Sequence, residues 1–226
     1  MKYIAHRGLS SKAPENTIPA FTLAGQKQRF FGIECDLYTT KDGHFVVFHD
    51  ENLKRMTGVQ GTIMDYSLDE LMDIEIKKGS KIKQYPHLRI PSFTEYLDVC
   101  AYHNKTAVIE IKKIHDITQL TDLINLVDER IGLSVIIISY NINYLKYIRA
   151  ISNSELQLLT ETMDDEVIYE CRVNQLDVSM PKEMIDQKMV KRLKKEGFKI
   201  GTFTVDDAKT MIEFEKLGID YLTTNR

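Results

Sequence analysis

The chain has 226 residues, of which 43% are hydrophobic and 28% charged, with a net charge of −3. That content supports a full core and excludes disorder, and the lack of any Pro/Gly/Ser-rich linker favours one domain over 1–226. Both signs of charge are interspersed, so there is no basic face to recruit nucleic acid or an anionic membrane.

Taken in order, residues 3–5 form a short strand that runs into His6-Arg7-Gly8. Pro14-Glu15-Asn16-Thr17 opens a helix that Asn16 or Thr17 can cap, with Pro19 tolerated in its first turn. Residues 31–38 read as a buried strand with acid where a core belongs. Successive strand side chains alternate faces, so Glu34, Asp36 and Tyr38 share one face and Ile33, Cys35 and Leu37 the other. Lys41-Asp42-Gly43 is a turn, and 44–48 is a strand returning antiparallel to the acidic one and ending at His49-Asp50. Residues 51–91 break the alternation and read as an insertion. It carries a short helix at 67–73, begun by the capping box Ser67-x-x-Glu70. Ser92-x-x-Glu95 is a second capping box.

From there the pattern is regular. Strands are expected at 106–112, 134–140, 156–160, 175–179, 199–204 and 219–223, with helices at 117–130, 141–151, 164–172, 182–195 and 206–217. Gly197 and Gly218 stand where helix C-caps belong. With the first and the acidic strands, this makes eight β units and predicts a (β/α)₈ TIM barrel with a small insertion after the second strand and its hairpin. The runner-up, an open doubly wound sheet, is weakened because no Gly-rich phosphate loop is present. No helix is expected after the last strand. A helix there would cover the seam between the last and first strands, so self-association into a homo-oligomer is the expectation for that seam.

The longest purely apolar run is 135–138, against ~18 residues for a membrane span, so no transmembrane segment is expected. The N-terminus has no apolar stretch of the kind a signal peptide needs. Cys35, Cys100 and Cys171 are odd in number and widely spaced, which reads as core residues in a reducing compartment and makes the cytoplasm the expected location.

Two carboxylates on a strand covered on both faces are costly unless a cation meets them. The strand at 106–112 repeats the oddity, with Val108, Glu110 and Lys112 on one face. Within one barrel, Glu34, Asp36 and Glu110 point to a shared centre. Oxygen-only ligands suit a hard divalent cation, Mg²⁺ or Ca²⁺, whereas zinc wants histidine or cysteine. Of six histidines, His44, His87, His103 and His115 sit in turns or at helix ends and read as solvated or capping groups. His6 and His49 each end a strand and are followed by a charged residue, and two imidazoles near a cation can divide proton removal and delivery between them. Arg7 and Lys112 would clamp an anion there, which points to a phosphoryl group. The other reading of Lys112 is an ion pair with Glu110 or Asp36. All these residues lie late in their strands, at the rim where such barrels carry active sites.

The chain resembles the glycerophosphodiester phosphodiesterases. The likeness rests on His6-Arg7-Gly8, Pro14-Glu15-Asn16-Thr17, Glu34-Cys35-Asp36, Thr40-Lys41-Asp42-Gly43, Val46-Val47-Phe48-His49-Asp50, Arg55-Met56-Thr57-Gly58 and Ile109-Glu110-Ile111-Lys112. It covers nearly the whole chain and is densest in the first half. It implies hydrolysis of a small-molecule glycerophosphodiester to an alcohol and glycerol 3-phosphate. Glu34, Asp36 and Glu110 would hold the cation, His6 and His49 would be the acid/base pair, and Arg7 and Lys112 would hold the phosphate. It further implies attack by the glycerol 2-hydroxyl and a cyclic phosphate that water opens; the roles of the two histidines stay open. The family often carries Trp-Thr-Val-Asn where this chain has Phe203-Thr204-Val205-Asp206, and Thr-Asp where it has Thr224-Asn225. These departures bear on headgroup selectivity and rim hydrogen bonding. Two rival readings are a phospholipase-like barrel lyase that stops at the cyclic phosphate and a non-catalytic phosphate-binding barrel.

Overall fold

The computed structural model describes residues 1–226. Its nine strands are β1 (Lys2–Ala5), β2 (Phe30–Thr39), β3 (Phe45–Val47), β4 (Thr106–Lys113), β5 (Val135–Ser139), β6 (Glu155–Leu159), β7 (Asp177–Pro181), β8 (Ile200–Phe203) and β9 (Tyr221–Thr224). The sheet runs β1-β9-β8-β7-β6-β5-β4-β2-β3, and β1 also pairs with β2. That last pairing closes eight parallel strands into a barrel, and β3 hangs antiparallel on β2 as the expected hairpin partner. Closure leaves the strands no free edge, and parallel strands need helical crossovers on their outer face.

The helices are α1 (Ile18–Gly25), α2 (Lys54–Thr57), α3 (Leu68–Met72), α4 (Phe93–Tyr102), α5 (Gln119–Asp128), α6 (Ile142–Ile151), α7 (Asp165–Val173), α8 (Gln187–Lys195) and α9 (Ala208–Leu217). Local chemistry sets their ends. Ser67 and Ser92 form the two expected capping boxes, and Asp164, Asp186 and Asp207 cap α7, α8 and α9 through their side chains. Each such cap is worth about 1 kcal/mol. Thr17, not Asn16, caps α1, which frees Asn16 for another task. Several elements start later than their sequence pattern suggests, among them α5, α8, α9, β7 and β9, and two of these have a clear local cause. Residues 182–184 form a separate 3₁₀ turn because Asp186 supplies the cap, so α8 begins at Gln187. β7 begins at Asp177 because α7 runs on to Val173 and Gln175 takes a left-handed φ of 52°.

Alternation along the strands sorts the side chains into two layers. Ile33, Cys35 and Leu37 of β2, with Ala107, Ile109 and Ile111 of β4, face outward into the main core beneath the helices. Phe21, Phe93, Tyr96 and Leu97 cover them. Each fully buried side chain of this size contributes roughly 1.5–3 kcal/mol. Tyr96 lies wholly inside and donates its hydroxyl hydrogen to the Ile33 carbonyl at 2.7 Å, which pins α4 against β2. The inner layer is apolar across the barrel's middle, where Ile4, Val108, Ile136, Ile138, Leu159 and Tyr221 meet. Residues 51–91 build a small cluster of their own, in which Leu53, Met56, Ile63, Leu71 and Ile76 pack on Tyr38 and Phe48. No helix is long and apolar enough to cross a membrane.

Candidate active site

Asp36 of β2 and Glu110 of β4 are register partners, and Glu34 lies two residues before Asp36 on the same inner face. Ligand atoms of Glu34, Asp36 and Glu110 all lie within 4.8 Å of one another. Glu34 and Asp36 are buried at 2% and 1% exposure, and only Glu110 is partly exposed, so most of this charge is out of water.

The turn after β1 serves this cluster. The His6 N–H donates to the Thr224 carbonyl at 2.9 Å, tying the end of β1 to the end of β9. Arg7 then takes a φ of 54° and Gly8 a φ of 76°. A Cβ on Gly8 would come within 2.6 Å of the Ala20 backbone, so only glycine lets the turn sit against α1. The turn aims the Arg7 N–H at Glu34 Oε2, 2.7 Å away. It also sets the Arg7 guanidinium between Glu15, at 3.0 Å, and Asp36, at 3.2 Å. Asn16, itself buried and at φ 53°, donates from Nδ2 to Asp36 Oδ2 at 2.7 Å. Lys112 donates to Glu110 Oε1 at 2.7 Å and stands 3.3 Å from Asp36 Oδ1.

One oxygen of each buried carboxylate is thus hydrogen-bonded; of the other two, Asp36 Oδ1 has only the Lys112 ammonium at 3.3 Å, and Glu34 Oε1 has nothing. Glu34 Oε1 and Asp36 Oδ1 are buried with no hydrogen-bond partner. Buried anionic oxygens without a donor carry a large desolvation cost. The protonation balance shows the same strain. Burial, then the charges of Asp36 and Glu110, hold the Glu34 carboxyl well above the usual carboxylate range. Burial and Asp36 likewise raise Glu110. Burial would raise Asp36 too, but Arg7 and Lys112 outweigh it and keep that carboxyl low. Burial disfavours the Lys112 ammonium, yet Asp36 and Glu110 push its pKa up, so it stays charged. An oxygen-only donor set with one orphaned oxygen, Glu34 Oε1, and a second, Asp36 Oδ1, without a hydrogen bond fits a hard divalent cation.

The two histidines lie near enough to interact with the Asp36 charge, and they have different partners. His49 Nδ1 lies 2.7 Å from Asp50 Oδ1. Asp50 in turn pairs with Arg55, which also donates to Glu15. His49 lies two residues past β3, and Tyr38 donates its hydroxyl hydrogen to the His49 carbonyl at 3.1 Å, tying that segment to β2. His6 Nδ1 lies 2.9 Å from Asn225 Oδ1. Burial and the neighbouring Arg7 charge lower the His6 pKa, so the ring is neutral at neutral pH. A cavity of about 550 Å³ opens beside Glu110 and Lys112, walled by Tyr38, Tyr140 and Asn141.

The seven residues singled out from the sequence therefore stand in or beside one rim of the barrel. Lys112 makes the ion pairs expected of its alternative reading while bordering the open cavity. Sequence alone gives no site role to Glu15, Asn16, Asp50 or Arg55, although all four lie inside the quoted motifs, and it marks Asp206 and Asn225 only as departures that bear on rim hydrogen bonding.

Residues 6–226 match the model of the glycerophosphoryl diester phosphodiesterase family. The chain belongs to that family. It is 31% identical to a glycerophosphodiester phosphodiesterase of Caldanaerobacter subterraneus subsp. tengcongensis over 98% of this chain and 93% of that protein. Among solved structures it superposes on an Oleispira antarctica phosphodiesterase in complex with the product sn-glycerol-3-phosphate. The TM-score is 0.92 at 24% identity, covering 100% of this chain and 93% of that one. A glycerophosphodiester phosphodiesterase from Parabacteroides distasonis gives a TM-score of 0.81 at 25% identity, over 99% of this chain and 92% of that one. As an enzyme, the family member described here is a glycerophosphodiester phosphodiesterase.

Proposed function

We propose that the chain hydrolyses glycerophosphodiesters to an alcohol and glycerol 3-phosphate by a cation-dependent, two-histidine mechanism. The observation that carries it is the acidic cluster of Glu34, Asp36 and Glu110, with buried oxygens of Glu34 and Asp36 that make no hydrogen bond, near two imidazoles with unlike partners. Glu34, Asp36 and Glu110 would hold Mg²⁺ or Ca²⁺. When bound, the cation supplies positive charge against the phosphoryl oxygens as their charge grows.

The chain's own residues divide the rest. Arg7 and Lys112 are the cations that meet the diester's phosphate, and Glu15, Asp36 and Glu110 hold them in place. His6 is neutral and is the proton acceptor: its Nε2 takes the glycerol 2-hydroxyl proton as that oxygen bonds to phosphorus. An attacking group already tethered to the phosphate gains effective molarity. The bond from phosphorus to the headgroup oxygen breaks, and His49 delivers a proton to that oxygen. With Asp50 beside Nδ1, the proton-bearing His49 is a charged pair rather than an isolated cation. In the second half His49 takes a proton from water, the resulting hydroxide opens the cyclic phosphate, and His6 returns its proton to the 2-oxygen. The net change is the addition of one water. The product held by the Oleispira relative, sn-glycerol-3-phosphate, supports this outcome. The three cysteines, free and buried, support a cytoplasmic setting.

Release of glycerol 3-phosphate from glycerophosphocholine, with and without chelator, tests the proposal. Chelation is expected to abolish turnover and added Mg²⁺ or Ca²⁺ to restore it. Full activity after exhaustive metal removal overturns the cation assignment, and a cyclic phosphate as final product in phosphorus NMR overturns the hydrolytic step.

A further inference from the structure

Behind His6 stands a relay that reaches almost the full length of the chain. Asn225 Oδ1 is 2.9 Å from His6 Nδ1 and also accepts from Ser10 Oγ at 2.8 Å. Asn225 Nδ2 donates to Asp206 Oδ2 at 2.7 Å, and its backbone N–H donates to Asp206 Oδ1 at 2.8 Å. Thr224 Oγ1 adds a third donor to Asp206 Oδ1 at 2.8 Å.

Donor and acceptor capacity then leaves a single arrangement. A carboxylate only accepts, so the Asn225 NH₂ group must face Asp206 and the carbonyl oxygen must face His6. That oxygen also only accepts, so His6 Nδ1 must carry the proton, and the lone pair falls on Nε2. Asp206 can play this part because it is ionised: burial opposes the charge, but the hydrogen bonds from Asn225 and Thr224 outweigh it and lower the carboxyl.

We propose that Asn225 and Asp206 are positioning residues for catalysis: the carboxylate orients the amide, and the amide holds His6 in the Nδ1–H tautomer that makes Nε2 a base. The interposed amide matters. It fixes the tautomer as a carboxylate would, but keeps the negative charge one side chain away from the ring. His49, with Asp50 directly on Nδ1, has the opposite arrangement. The other charged or titratable groups acting on the His6 ring are Arg7 and His49, which oppose its protonation, and Asp36, which favours it.

This inference rests on His6 as the proton acceptor, so the test reads the ring separately from turnover. The proteins compared are the wild type, Asp206→Asn, Asn225→Asp and the double exchange, all nearly isosteric, with Mg²⁺ present throughout. Nitrogen-15 histidine NMR follows the tautomer and titration of His6, and kcat and KM for glycerophosphocholine are measured against pH. Asn225→Asp puts a carboxylate on the ring. It should raise the His6 titration, and with it the acidic limb of kcat/KM, by about one to two pH units. Asp206→Asn frees the amide to turn. It should bring in the Nε2–H tautomer and lower kcat ~10-fold with little change in KM. The double exchange should recover most of kcat while keeping the raised limb, a rescue that a merely structural pair would not show. An unmoved His6 titration in Asn225→Asp, or an unchanged tautomer in Asp206→Asn, overturns the relay, and either variant alone suffices. If instead the ring responds as described while His6→Ala keeps its turnover, the relay stands and the acceptor role of His6 falls.

Discussion

The two ends of the barrel both carry charge, but they balance it differently. At the N-terminal end, Lys199 Nζ meets Glu155 Oε2 at 2.6 Å, and Asp177 accepts from the Lys199 N–H at 2.8 Å. Asp220 accepts from the Ile200 N–H at 2.6 Å and pairs with Lys194. No carboxylate oxygen there is buried without a partner. At the C-terminal mouth, Glu34 keeps one buried oxygen unpartnered and Asp36 keeps one with no hydrogen bond, only the Lys112 ammonium at 3.3 Å. Acid inside a barrel is therefore not in itself a site. A closed set of pairs reads as structure, and a deficit of donors reads as a place for a ligand.

Changes at the mouth should be the most damaging to turnover. Glu34→Gln keeps the shape and removes one anionic oxygen, and kcat should fall about a thousandfold, several kcal/mol of charge stabilisation. A loss within tenfold would erase the distinction between the ends. His49→Ala should cost ~10²–10⁴ in kcat, the range for a general acid or base, and a smaller loss than tenfold removes His49 from that role. The pH profile sharpens the same point. Because the His6 pKa is lowered, the ring stays deprotonated to lower pH than free imidazole, near ~6.5. As pH falls, kcat/KM should hold until below that value; a decline already under way at pH 7.5 would contradict a neutral His6. At the base the prediction reverses. Glu155→Gln breaks the pair with half-exposed Lys199, so it should lower stability by at most about 1 kcal/mol in urea unfolding and leave kcat within twofold. Cys35→Ser should spare turnover as well, since Cys35 faces the helices, while its buried hydroxyl costs about 1–3 kcal/mol. Loss of activity with the fold intact would mean that β2 presents the wrong face.

Much of the barrel is legible in the sequence because strand period and capping chemistry are local. Ser67 and Ser92 announce their helices within three residues, and the alternation in β2 alone separates Glu34 and Asp36 from Cys35 and Leu37. The acidic cluster follows once both strands are assigned to one barrel, because register then sets Asp36 beside Glu110. What stays hidden is the scaffold of the site, which acts across loops. Asn16 reads as a helix cap until Thr17 is seen to fill that place, and only then is its bond to Asp36 apparent. Arg55 lies in a stretch that reads as an insertion, yet it ties Asp50 to Glu15. Asn225 meets His6 from 219 residues away, a pairing that no periodicity encodes.

Direct cation binding is the most pointed test. Calorimetric titration of metal-free protein with Mg²⁺ and Ca²⁺ should show one site per chain for at least one of them, lost in Glu34→Gln, Asp36→Asn and Glu110→Gln and kept in Glu155→Gln. Binding that survives all three mouth substitutions, or turnover that proceeds with no cation bound, would contradict the account.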